Sequence, residues 1–207
     1  MNYSSLVSNI KNFLEDDSTE FSDSIDEIID QAEAMIFQRL PNLPCFRASA
    51  TGNLVVGTSA YTIASARIIR NVAITVSSNV TYLNHRVDSY LKDYWPNSST
   101  TSQPIMYSTD SASTSGTVLT LAPTPDATYA YEVEYSVPAT GLSSSTTTTW
   151  LGNNAENVLL SSCLYEASSF LKAPETVSLY KSQFDEAVQL MQQEMLRDYA
   201  SEYNGGI

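Results

Sequence analysis

The sequence predicts an α+β chain: a four-helix bundle formed by N- and C-terminal helix pairs, with an inserted antiparallel β-rich subdomain. Three observations predict it. Apolar residues recur at helical spacing near both ends of the 207-residue chain. The middle changes to short alternating runs rich in Val, Ile, Thr and Tyr. The charge changes with the pattern: residues 1–40 carry nine acids and two bases, 41–140 six and five, and 141–207 eight and three. A helix with one apolar face must bury it. Packing both end pairs together does this, giving a bundle from 1–44 and 141–199, a β insert from 45–140 and a tail at 200–207.

Taken in order, residues 3–14 place Tyr3, Leu6, Val7, Ile10, Phe13 and Leu14 on one helical stripe. A polar acidic connection follows. Ser24 and Glu27 read as a capping box, in which hydroxyl and carboxylate each satisfy a free backbone N–H. The helix over 23–40 has Ile25, Ile28, Ile29, Ala32, Ile36 and Leu40 on one face and Asp26, Asp30 and Glu33 largely on the other. Pro41 and Pro44 stop it. Strands are predicted at 53–57, 61–64, 68–76, 80–83, 104–110 and 117–123, with a short helix over 84–95 that Pro96 ends. Residues 128–137 alternate, with Tyr129, Tyr131, Val133, Tyr135 and Val137 inward and Ala130, Glu132, Glu134 and Ser136 outward, the mark of a half-buried antiparallel strand.

A Ser/Thr-rich loop then leads to Trp150 and Leu151. This pair is expected to anchor the chain's re-entry into the bundle, since an apolar group just before a helix packs back on its first turn. Ordinary core packing of Trp150 is the other reading. The helix over 153–172, capped by Asn153 or Asn154, presents Leu160, Leu164, Ala167 and Leu171. The last helix, over 175–199, spaces Val177, Tyr180, Phe184, Val188, Met191 and Met195 three or four apart. Beyond it, Tyr199, Tyr203, Asn204, Gly205, Gly206 and Ile207 lack an internal partner pattern and are expected to dock on another protein or stay unstructured.

Composition excludes several functions. A net charge of −13 and a sequence pI of about 4.2 do not make a nucleic-acid footprint. No apolar stretch reaches membrane-spanning length and no secretory leader pattern opens the chain. Cys45 and Cys163 are too few for a disulfide scaffold and read as free thiols of a reducing compartment. His85 is the only histidine, so no Ser-His-Asp, Cys-His or zinc arrangement is available. The acids Glu15, Asp16, Asp17 and Glu20 lack the spacing of a calcium loop. Glu132 and Glu134 are explained by the wet face of a strand. No catalytic residue, metal ligand or cofactor site is expected. Thirteen tyrosines are an excess that fits interfaces.

The run "YSSLVSNIKNFLEDDSTEFSDSIDEIIDQAEAMIFQRL" resembles the start of bacteriophage head-to-tail adaptor (connector) proteins. The later "LTLAPTPDATYAYEVEYSVPATGLSSSTTTTWLGNNAENVLLSSCLYEASSFLK" is similar to the second half of the same family. The resemblance implies a non-enzymatic virion protein at the head-tail junction, assembled in the host cytoplasm. It implies a ring, typically of twelve copies, under the portal protein, which joins the portal to a downstream tail or neck protein and lines a channel through which DNA passes transiently and without specificity. The C-terminal segment would dock on the portal. Negative charge on the channel wall would repel the DNA backbone; a wall lined by Arg67, Arg70 and Arg86 would contradict this, and solubility before assembly explains the same charge. Alternatives are another neck ring protein of the tail-terminator kind, or a carbohydrate-binding surface module.

Overall fold

The computed structural model describes residues 1–111 and 113–204, those beyond Arg197 by their backbone alone. The fold is α+β, with six α-helices and two mostly antiparallel sheets among the described residues. The chain divides into two compact units. One comprises residues 1–45 and 139–207, the other 46–138.

In the helical unit, α1 (Tyr3–Leu14) opens with a capping box: Asn2 accepts from the Ser5 N–H. It buries Leu6 and Ile10, while Phe13, expected on the same stripe, is exposed. Helix α2 (Thr19–Arg39) starts a turn earlier than the Ser24/Glu27 pair predicts. Ser18 is its cap, accepting from the Phe21 N–H, and Phe21 is buried. The Ser24 hydroxyl instead donates back to the Glu20 carbonyl, the usual fate of a mid-helix serine. A five-residue helix α4 (Trp150–Asn154) precedes α5 (Glu156–Phe170). Asn153 and Asn154 therefore end α4, and α5 begins at Ala155 without a side-chain cap. Helix α6 (Pro174–Asn204) is longer than predicted.

Helix α5 is the hub, packing against α1, α2, α4 and, most extensively, α6. Its composition explains this. Ser161, Ser162 and Ser168 are buried together with Val158, Leu159, Cys163, Leu164 and Ala167, so small residues let neighbours approach on several sides. The Ser161 and Ser162 hydroxyls donate to backbone carbonyls within the helix, at 2.7 Å to Asn157 and 2.9 Å to Leu159. Tyr180, Phe184 and Val188 are the buried stripe of α6.

The β unit holds β1 (Arg47–Asn53), β2 (Ala60–Ala64), β3 (Ile68–Val76), β4 (Asn79–Tyr82), β5 (Asn84–His85), a short α3 (Asp88–Tyr94), β6 (Met106–Asp110), β7 (Gly116–Ala122) and β8 (Ala130–Ser136). One sheet has the order β1-β8-β3-β4 and the other β2-β7-β6-β5. All pairings are antiparallel except the two-residue β5–β6 contact. Val72, Ile74 and Val133 from the first sheet share one core with Ile63, Leu119 and Leu121 from the second, so the sheets pack face to face. The expected strand at 53–57 is instead the end of β1 and a turn. Ser136, expected to be wet, is fully buried. A bulge at Arg70 interrupts β3 between Ile69 and Asn71, and the Arg70 guanidinium donates to the Ser136 hydroxyl at 2.9 Å. Gly116, at φ 155°, has no room for a Cβ, which would run into the Ile63 carbonyl.

Candidate functional site

The residues that chemistry would need are dispersed. His85 is exposed, 3.5 Å from the Thr109 hydroxyl and ring to ring with Tyr107. Asp16 accepts from the Ser18 backbone N–H in an exposed turn, and that bond, with the Ser18 hydroxyl, holds its carboxyl below the usual range. Glu134 takes a hydrogen bond from the Asn71 amide, consistent with a solvated strand face. Cys163 is buried and Cys45 half-buried; burial pushes both thiols up, Cys45 to about 11, which keeps them protonated and inert. No group of three or more metal-binding side chains occurs among the described residues. No described helix is long and apolar enough to cross a membrane.

What the helical unit does build is a fixed path for the Ser/Thr-rich segment that re-enters it. Three points hold this segment. Leu142, buried, donates its N–H to both carboxylate oxygens of Glu33, at 3.1 and 3.2 Å. The Tyr3 N–H donates to the Thr147 carbonyl at 3.0 Å. The Met1 nitrogen donates to the Gly152 carbonyl. Gly141 and Gly152 are required for this path: a Cβ on Gly141 would strike the Glu33 carboxylate, and one on Gly152 the Met1 carbonyl. Burial raises the Glu33 carboxyl to about 7, against the opposing pull of the Leu142 N–H, and the charge of Asp30 adds to the rise. Glu33 was expected on the polar side of α2. Leu142 offers no sequence signal beyond being a lone apolar residue in a polar run.

Trp150 and Leu151 form the first turn of α4. The Thr149 hydroxyl caps it by accepting from the Gly152 N–H at 3.2 Å; Leu151 is buried and Trp150 only half-buried. Tyr199, Tyr203 and Asn204 continue α6, so that stretch is helical where a tail was expected. Gly205, Gly206 and Ile207 lie outside the described residues. Exposed apolar side chains occur in both units. Leu190 lies on α6 beside the start of α5, next to Met191 and Glu194. In the β unit, Val80 and Tyr82 are exposed on β4, and Tyr90 and Tyr94 stack at 6.3 Å with Arg86 over the Tyr90 ring.

Comparison with known families gives the class as phage head-to-tail adaptors. The match is to the model of the SU10 adaptor protein family over residues 1–205, and the chain belongs to that family. No curated protein matches the sequence. Membership makes it a structural component of a phage virion whose partners are portal and tail proteins.

Proposed function

We propose that this chain is a ring-forming adaptor, typically of twelve copies, that sits beneath the portal, joins it to the next tail or neck component, and lines the channel through which DNA leaves the capsid. The family match over residues 1–205 carries this reading. The helical elements α1, α2, α5 and α6 act in it as one bundle that sets the ring's frame, and the segment 46–138 acts as an inserted domain. The C-terminal stretch Tyr199, Tyr203, Asn204, Gly205, Gly206 and Ile207 docks on the portal. The length of α6, which runs to Asn204, supports this by carrying the helix well past its buried residues Tyr180, Phe184 and Val188. Trp150 and Leu151 anchor the re-entering chain, supported by the burial of Leu151 and the Thr149 cap. The helical unit, with seventeen acids against five bases, is suited to form a wall that repels phosphate and does not hold DNA in passage.

The test is mass photometry of the full chain with and without its portal protein, followed by a particle map of the capsid vertex. A ring of this chain in the layer under the portal is expected. A chain that never binds portal, or a layer occupied by another protein, overturns the proposal.

A further inference from the structure

The sheet β1-β8-β3-β4 has two edges, and the hydrogen bonds flanking each edge strand fix which backbone groups point outward. The Val137 N–H donates to the Phe46 carbonyl and the Leu54 N–H to the Tyr129 carbonyl, in register with the β1–β8 pairing. Even-numbered residues of β1 therefore bond to β8, and Ser49, Thr51 and Asn53 direct their N–H and C=O groups away from the sheet. By the same reasoning, the Leu83 N–H donating to the Val72 carbonyl directs the backbone groups of Val80 and Tyr82 outward from β4. Among the described residues, no backbone hydrogen bond takes up the outward groups of these five.

Natural edge strands are guarded by lysine, proline, bulges or cover. Strand β1 is seven residues long with neither lysine nor proline, its one charge, Arg47, stands at its first position, and its register with β8 is unbroken. Strand β4 carries no charge and exposes Val80 by 62% and Tyr82 by 67%.

We infer that the β4 edge of one copy pairs with the β1 edge of a second copy, so that this sheet continues from subunit to subunit. Three features select that occupant. First, all three pairings inside the sheet are antiparallel, so β1 and β4 run in opposite directions. Identical copies related by a rotation then meet antiparallel, and the ladder continues without a change of pattern. The other sheet cannot do this: β5 has two residues and pairs in parallel, so β2 and β5 run the same way. Second, the faces agree. Ser49, Thr51 and Asn53 have exposed side chains, as do Val80 and Tyr82, so pairing sets both rows on the outer face and buries no mismatch. The small side chains of β1 leave room for the valine and tyrosine beside them. Third, the β unit is nearly neutral, with six acids and five bases, whereas helical units facing one another would oppose like charge.

The inference rests on the ring reading, and the experiment separates the two. Full-length chains carrying Thr51→Cys with Val80→Cys, in a Cys45→Ser background, are oxidised with and without portal protein. A non-reducing ladder extending past the dimer is expected for the double variant alone. In parallel, Thr51→Pro removes only an outward N–H, so β8 pairing and the monomer's circular dichroism persist. It is expected to lower self-assembly at least tenfold, while Thr51→Val leaves it unchanged. Rings that form equally well with Thr51→Pro and give no ladder overturn the strand contact and leave the ring standing. Dimers from Thr51→Cys alone show β1 meeting β1 and overturn the head-to-tail pairing. Failure of the unmodified chain to multimerise at any concentration, with or without portal, overturns both.

Discussion

The helical unit carries seventeen acids against five bases and the β unit six against five, and the two units also differ in the side chains they leave exposed. In the helices, acids occupy the wet faces of α2 and α6, and the apolar stripes turn inward on α5. In the β unit, small polar side chains line β1, and Val80, Tyr82, Tyr90 and Tyr94 stand exposed. Charge of one sign opposes the approach of like surfaces, whereas unpaired backbone and exposed aromatics are features that favour contact.

The sharpest way to break this division is through the two cores. Phe184, on α6, lies 1% exposed in the helical unit, and Phe184→Ala is expected to cost about 3–5 kcal/mol. Leu119, equally buried in the β core, is expected to cost about 2–5 kcal/mol as alanine. Calorimetry should show Phe184→Ala moving one unfolding transition and Leu119→Ala the other. If either variant moves both together, the units are one cooperative body.

Next in size is a pH effect confined to the helical unit. The Glu33 carboxyl keeps its proton up to about 7 when folded, against an ordinary value of 4.5. The folded state binds the extra proton between those values, so the stability it contributes is complete below 4.5 and lost as pH rises through about 7. The loss is on the order of 2 kcal/mol. Glu33→Gln retains an acceptor for the Leu142 N–H, and its melting temperature should be flat over that window while the unmodified chain's falls. A similar fall in both proteins would clear Glu33 of the effect.

Removing the α4 cap by Thr149→Ala should cost about 1 kcal/mol and speed amide exchange at Gly152, with the β unit unaffected. Smallest is the response to salt. Screening between low and physiological ionic strength should stabilise the helical unit by a few tenths of a kcal/mol and leave the nearly neutral β unit still. Equal responses would mean that the acids of the helices do not repel one another enough to matter.

The helices were legible because their periodicity is long: Leu6 and Ile10, then Ile25 through Ile36, then Tyr180 through Val188 all lie where spacing puts them. Helix starts were not. Ser24 competes as a cap with Ser18, and only the burial of Phe21 decides between them. Strand β1 was invisible because "RASATGN" holds a single β-branched residue, Thr51, and no aromatic side chain, the types by which strands are recognised. Its conformation is imposed by β8, whose alternation is clear. Glu33 was hidden for a related reason. Its partner is a backbone N–H more than a hundred positions away, and no side-chain pattern reports that. Ser136 was misplaced because alternation cannot foresee a bulge bringing an arginine to a serine across the sheet.

Two stretches of chain link the units, one at Cys45–Phe46 and one at Pro138–Ala139. Each reaches a buried leucine within a few residues of the crossing, Leu43 on one side and Leu142 on the other. A pull on the β unit would therefore enter the helices as tension on two greasy pegs, only the second of which is roped to a carboxylate. The Leu142 N–H favours the charged carboxylate, so alkali would tighten that rope and acidification slacken it, and the mechanical strength of the linkage should change with pH in the opposite sense to the thermal strength of the unit.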